Sequence, residues 1–335
     1  MTRAGRALPL LALLGCADSL GAWPWDQNMD AWHDQDGDGH AAVGRGGHDC
    51  ADLNAEVYPG ALTELEGSLM ATICPGVLNT GSPVEEVGSG PDEAQREVTL
   101  TGAYEIGVVE VTQAQFERLM VYQPSRWPGC LHCPVETVTW HMAAQFTNVV
   151  SYEAGLQSCY ACEGFGDSTT CEPIGVPYDC EGFRLPTEAE WEHAARAGIA
   201  RALSSGGELL PGDTSNCGGA VILDNAAMLD HSAMYCGNDA GLPAETATLQ
   251  ANPWGLFDMH GNVWEWVHDW YGPYDGDTSD PWGPTTGTQR VKRGGGWSSY
   301  PQSLRSAGRS ATEPGVATDT IGFRLARSIE IPAER

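Results

Sequence analysis

Positive charge is scarce in this sequence. Seventeen Lys and Arg stand against 45 Asp and Glu, a formal charge of −28 over 335 residues. Such a surface repels phosphate backbones, which excludes nucleic acid as a partner and suits divalent cations or basic partners. The plainer reading is that the acidity keeps an exported chain soluble. No run of about 18 apolar residues occurs, so no segment reads as a membrane-spanning helix. Cysteine is absent after Cys236, although 11 occur up to that point. A Gly-x-Ser-x-Gly elbow, a phosphate-binding loop and a His-Glu-x-x-His motif are missing too. Internal repeats are also lacking.

What is present begins with an export signal. Arg3 and Arg6 precede the short apolar run Ala7–Gly15, which is too short to span a bilayer. Leu13-Leu14-Gly15-Cys16 resembles a bacterial lipobox, in which Cys16 is acylated and becomes the mature N-terminus. An ordinary signal cut near Ala22 is the alternative. The lipobox reading implies an envelope lipoprotein, on the outer membrane or cell surface, held to the membrane by its lipid alone.

Export settles how the cysteines read. Without Cys16, ten remain, an even number that allows up to five disulfides in an oxidising compartment. Cys217 with Cys236 is the best single pair. Cys130-x-x-Cys133 and Cys159-x-x-Cys162 also have zinc-site spacing, which is the rival reading. A thiol–disulfide exchanger built on Cys130 and Cys133 lacks the βαβ context expected of such motifs.

Residues 17–33 read as a tether and residues 34–76 as an acidic module. Asp34, Asp36 and Asp38 alternate before Gly39, projecting carboxylates at one point around a tight turn, as a calcium loop does. Arg45 stands where an EF-hand needs its bidentate Glu, so this is not an EF-hand. Asp49 and Asp52 add further oxygens. The segment resembles the short aspartate-rich metal-binding repeats of secreted proteins from myxobacteria and their relatives, and a solvated acidic turn cluster is the plain alternative.

Residues 77–97, poor in large apolar side chains, read as a surface loop. Strands follow at Val98–Thr101 and Tyr104–Val109, then a helix capped by Thr112 and a second from Trp140 to Leu156. Thr187-Glu-Ala-Glu190 is a capping box opening a third helix that Gly198 ends. The main domain is placed at 77–329, with a tail at 330–335.

Four segments carry more than texture. They are Glu110-Val-Thr-Gln113, Gly182-Phe-Arg-Leu-Pro-Thr-Glu-Ala-Glu-Trp-Glu192, Asn252-Pro-Trp-Gly-Leu-Phe-Asp-Met-His-Gly-Asn-Val-Trp-Glu-Trp266, and Arg293-Gly-Gly-Gly-Trp297 with Gly322-Phe-Arg-Leu-Ala-Arg327. In this order and spacing they resemble the formylglycine-generating, or sulfatase-modifying-factor, family over roughly residues 70–329. The resemblance implies an α+β, C-type lectin-like fold with little regular secondary structure, here disulfide-stapled and calcium-bound. Asp258 and Glu265 are hard oxygen donors separated by a turn at Gly261. Carried over by position, the family's calcium ligands are Asp258, the carbonyls of Gly261 and Val263, and Glu265. Trp254, Trp264, Trp266 and Trp297 read as core residues. Arg184, Arg293, Arg305, Arg309 and Arg324 read as buried anchors for acidic groups, or as the lining of an anion pocket.

The departure from the family is chemical. Its oxidases bind copper(I) through a cysteine pair just after the Arg-Gly-Gly strand, because a soft metal needs thiolates. Here Ser298 and Ser299 follow Trp297, and no thiol occurs. Histidines 132, 141, 193, 231, 260 and 268 are scattered without ligand spacing for iron, and His260 and His268 read as structural. No catalytic residue is therefore assigned. A calcium-stabilised binding protein, monomeric and engaging a protein, peptide or glycan at the envelope, is the expected function. The alternative is a divergent sulfatase modifier or non-haem iron oxidoreductase.

Overall fold

The computed structural model describes residues 61–330 apart from 66, 219, 220, 275 and 277. Cys16, Asp34, Asp36, Asp38, Asp49 and Asp52 lie outside the described residues. Twelve short strands and three α-helices are assigned within them. One sheet runs β1 (Leu62–Leu65), β2 (Ser68–Ile73), β5 (Ala103–Gly107), β12 (Ala326–Ile329). A second runs β10 (Arg309–Thr312), β9 (Arg290–Arg293), β8 (Trp264–Trp270), β11 (Ile321–Phe323), with β11 parallel to β8. Two hairpins complete the strands, β3 (Gly76–Thr80) with β4 (Arg96–Leu100) and β6 (Tyr160–Glu163) with β7 (Thr170–Pro173).

The helices start where side chains satisfy orphan amides. The Thr112 hydroxyl accepts from the Gln115 amide at 3.3 Å while Gln115 Oε1 accepts from the Thr112 amide at 2.9 Å, opening α1 (Gln113–Met120). Thr139 caps α2 (Trp140–Glu153) through the Met142 amide at 3.0 Å. Thr187 and Glu190 form the reciprocal pair, at 3.2 and 2.8 Å, that opens α3 (Glu188–Arg196). That helix stops where Ala197 and Gly198 both turn left-handed.

Two divisions of the chain need correction. Val77 to Thr80, read as loop, alternate exposed and buried side chains and pair with β4, so only residues 81–95 connect. The boundary at residue 76 also moves. β1 and β2 fall in the stretch assigned to the acidic module, yet β2 is hydrogen-bonded to β5, so the main domain's sheet begins at Leu62.

The core lies between the sheets and the helices. Phe116 stacks on Phe146 at 5.4 Å, and Phe323 meets both edge-on. Trp140 and Trp266 exchange indole bonds with the carbonyls of Val267 and Val138, at 2.8 and 3.0 Å, locking α2 to β8. Disulfides join Cys130–Cys133, Cys159–Cys180, Cys162–Cys171 and Cys217–Cys236, and Cys74 is also disulfide-bonded. Both CxxC motifs are thus oxidised, which removes the zinc reading and agrees with folding in an oxidising compartment. Among the described residues no helix is long and apolar enough to cross a membrane.

Candidate functional site

The segment Asn252–Trp266 is tied to α3 before it reaches any polar site. Asn252 donates to the Ala194 carbonyl at 2.7 Å, and its side-chain oxygen accepts from the Trp254 and Leu256 amides at 3.0 Å each. Beyond it the backbone is left-handed at Asp258, Gly261 and Asn262. A Cβ on Gly261 would stand 2.0 Å from the Met234 carbonyl oxygen, so only glycine fits. This contorted stretch carries Asp258 and Val263 inward and delivers Glu265 to the start of β8.

Three carboxylates gather there. Glu110, Asp258 and Glu265 are all buried. Glu265 is saturated: it accepts from Arg324 Nε and Nη2 at 2.6 Å each and from the Trp191 indole at 2.7 Å. Asp258 accepts from the Ala247 amide at 2.8 Å. Glu110 and Asp258 lie within hydrogen-bonding reach of each other, but two carboxylates bond only if one keeps its proton. Neither Glu110 oxygen has a donor among the described residues. Burial raises Asp258 to about 6, and the Glu265 charge adds to it. Glu110 is pushed well above the usual carboxylate range by burial and then by Asp258. A hard cation would relieve both groups, because it replaces the missing proton with charge.

Among the described residues no group of three or more His, Cys, Asp or Glu side chains is disposed to hold a metal ion. The ligand set implied by resemblance takes two members from backbone carbonyls, at Gly261 and Val263, so it needs no such group. The orphaned oxygens of Glu110 fit a cation. Glu265 fits less well, since Arg324 and Trp191 already occupy its oxygens. Glu110 lies 148 residues before Asp258 in the chain, so their nearness has no local signal.

Every one of the five singled-out arginines is ion-paired. Arg184 meets Glu190, Arg293 meets Glu188 and Glu192, Arg305 meets Glu86 and Glu93, Arg309 meets Glu188, and Arg324 meets Glu265. Their role is therefore structural pairing, with only Arg309 also lining a cavity. His260 accepts from Ser204 and bonds the Leu304 carbonyl at 2.7 Å; burial lowers it to about 4. His268 meets the Tyr160 hydroxyl at 3.1 Å and is held well below its usual value by burial and then by Arg290. Both are buried and neutral. Trp264 and Trp266 are buried, whereas Trp254 and Trp297 are half-buried.

The residues that follow β9 serve the turn and the core, and none is a cysteine. Ser299 Oγ accepts from the Gly296 amide at 2.9 Å, closing the turn after β9. Ser298 is exposed and Leu304 fully buried. A cavity of about 380 Å³ lies between α3 and the loop 270–285, lined by Arg96, Glu188, Asp269, Tyr274, Trp282 and Arg309. Burial and then the Glu188 charge raise Asp269 there to about 8. A second, of about 410 Å³, is lined by Leu78, His193, Arg196 and Trp254. Neither reaches residues 297–304.

Small sheets, three helices and stapled connections define a C-type lectin-like domain of low regular structure. More particularly, the sulfatase-modifying factor enzyme 1-like domain matches residues 55–329, and the chain belongs to that family. The formylglycine-generating enzyme of Streptomyces coelicolor is 39% identical over 160 residues, 45% of this chain and 48% of that enzyme. The chaperone protein LppX of Paenibacillus barcinonensis is 30% identical over 221 residues, 61% of this chain and 72% of its own. Treponema denticola variable protein 1 superposes with a TM-score of 0.65 at 29% identity, covering 78% of this chain and 95% of that one. The chain spans about half the length, or less, of the first curated relatives it matches.

Proposed function

We propose that this chain is an exported, lipid-anchored member of the family that forms no formylglycine and instead acts as a calcium-stiffened binding scaffold at the cell envelope. The observation that carries the reading is the chemistry after β9. Copper(I) needs thiolates there, and the chain offers an exposed Ser298 and a turn-capping Ser299, with no cysteine after Cys236. Calcium would be held by Asp258, the carbonyls of Gly261 and Val263, and Glu265, with Glu110 beside them. The ion supplies charge that lets buried carboxylates ionise together and so stiffens the loop. Asp34, Asp36, Asp38, Asp49 and Asp52 would hold further calcium, and Cys16 would be the only link to the membrane. A relative described as a chaperone supports a role in holding another molecule. Here the partner, a protein, peptide or glycan, would use the cleft beside Tyr274 and Trp282, whose mixed aromatic and polar lining suits such ligands.

The test is direct. Purified protein supplied with copper(I) and air is incubated with a Cys-Thr-Pro-Ser-Arg peptide, and aldehyde is sought by hydrazide capture. None is expected, and conversion of the peptide would sink the proposal. Elemental analysis of the same preparation is expected to find calcium and neither copper nor iron. Chelation lowers the melting temperature, and calcium at about 100 times its dissociation constant restores about 2.7 kcal/mol.

A further inference from the structure

Cys130 and Cys133 stand apart from the other cross-links. The other pairs among the described residues span separations of 9, 19 and 21 residues, whereas this one spans 3. The shortest ring restricts the unfolded chain least, so this bond contributes least to the fold.

Its turn is held without it. The Cys133 amide donates to the Cys130 carbonyl at 3.2 Å. The first amides of α1 reach across, Gln113 to the Cys133 carbonyl at 2.9 Å and Ala114 to the Leu131 carbonyl at 3.2 Å. On the other side the Thr246 amide and hydroxyl both donate to the His132 carbonyl, at 2.9 and 3.2 Å. These bonds hold the turn through the backbone, separately from the sulfurs.

The two sulfurs differ in access. Cys133 is 5% exposed and its sulfur lies 3.9 Å from the Pro243 carbonyl oxygen. Cys130 is half-buried, next to Leu131 and His132, which are exposed. Leu131 is 59% exposed and Leu242, which precedes Pro243, is 40% exposed, so apolar side chains flank the pair on both sides. A disulfide that is dispensable to the fold, with one reachable sulfur, one shielded sulfur and an apolar rim, has the parts that exchange requires.

We propose that Cys130–Cys133 is a thiol–disulfide exchange site whose substrate is a pair of thiols on an extended, apolar polypeptide segment. A substrate thiolate attacks Cys130 Sγ, the Cys130–Cys133 bond breaks, and Cys133 leaves as a thiolate that takes up a proton. The substrate's second thiolate then attacks its own sulfur in the mixed disulfide, releasing Cys130 as a thiolate, which is protonated in turn. Two electrons and two protons pass from the substrate dithiol to the protein, and each protein molecule turns over once. This activity is independent of calcium and of the scaffold reading.

The intact oxidised chain is titrated with dithiothreitol, quenched in acid, alkylated and mapped by peptide mass. Cys130–Cys133 is expected to open at a reductant concentration about tenfold below that for Cys159–Cys180, Cys162–Cys171 and Cys217–Cys236, with circular dichroism unchanged. Opening last, or only on unfolding, overturns the proposal. The oxidised chain is then mixed one to one with a reduced, leucine-rich peptide carrying two cysteines. One peptide disulfide per protein is expected, with reduction confined to Cys130 and Cys133; a peptide that stays reduced overturns it. Leu131→Asp with Leu242→Asp is expected to slow the peptide reaction roughly fivefold while leaving dithiothreitol reduction unchanged. Equal slowing of both overturns the apolar docking.

Discussion

Between Cys159 and Cys180 the chain has two four-residue strands and mostly exposed side chains, and two disulfides hold it in place. Around α3, β8 and β9 no disulfide occurs among the described residues. Order there comes from guanidinium groups buried against carboxylates, with Arg184, Arg293 and Arg324 fully covered. The contrast shows two answers to one difficulty. Irregular chain with little apolar area to bury is stapled through the unfolded state. Irregular chain that bears the family's motifs is instead pinned by charge pairs whose donors and acceptors fit one geometry. The first region fails under reductant, the second under single substitutions.

The largest effect tests the charge-pinned half. Glu188→Ala strands Arg309 and leaves Arg293 with Glu192 alone, and is expected to cost about 3–5 kcal/mol in denaturant unfolding. A loss within error would mean that the arginines are not held by charge. Acid gives the next test. His260 has a folded pKa of about 4 against 6.5 when unperturbed, so its neutral form is favoured by folding. Its contribution is full above pH 6.5 and is lost as pH falls toward 4, on the order of 3 kcal/mol. Asp269, raised to about 8, has the opposite sign, because its protonated form is favoured and stability is gained on acidification. Comparing His260→Gln with the parent cancels that term, and the variant is expected to show the shallower acid limb.

The stapled half is probed by Cys159→Ala with Cys180→Ala, which removes a cross-link of separation 21 and is expected to lower stability by about 3 kcal/mol. Adding reductant to the parent should erase most of that difference. The smallest effect marks the limit of the comparison. Arg201 meets Glu208 and Asp224 at the surface with 44% of its side chain exposed, so Arg201→Ala should change stability by less than about 0.5 kcal/mol.

Much of this arrangement can be read from the chain. The starts of α1 and α3 follow from Thr112 and Thr187, whose hydroxyls act within three residues, and helical spacing of apolar residues placed α2. The long central motifs place the family. What stayed hidden depends on distant pairing. Val77-Leu-Asn-Thr80 looked like loop because its strand character comes from β4, 20 residues on. The second CxxC had the spacing of a zinc site. Cys162 instead sits directly across the ladder from Cys171, and Cys159 turns to Cys180, because residues three apart near a strand face opposite sides. Glu110 gave no hint of its neighbours, since Asp258 and Glu265 reach it only once the sheets close.

The order of the strands also sets when the molecule can exist. β11 is the parallel edge beside β8 and β12 the edge beside β5, so both sheets wait for the last ten or so described residues. Arg324, sole ion-pair partner of Glu265 among the described residues, sits between those two strands. A nascent chain that has not released residues 321–329 can complete neither sheet and leaves a buried carboxylate without its counter-charge. Until residues 321–329 are in place, Glu265 and the open edges of β8 and β5 have no partner to close against.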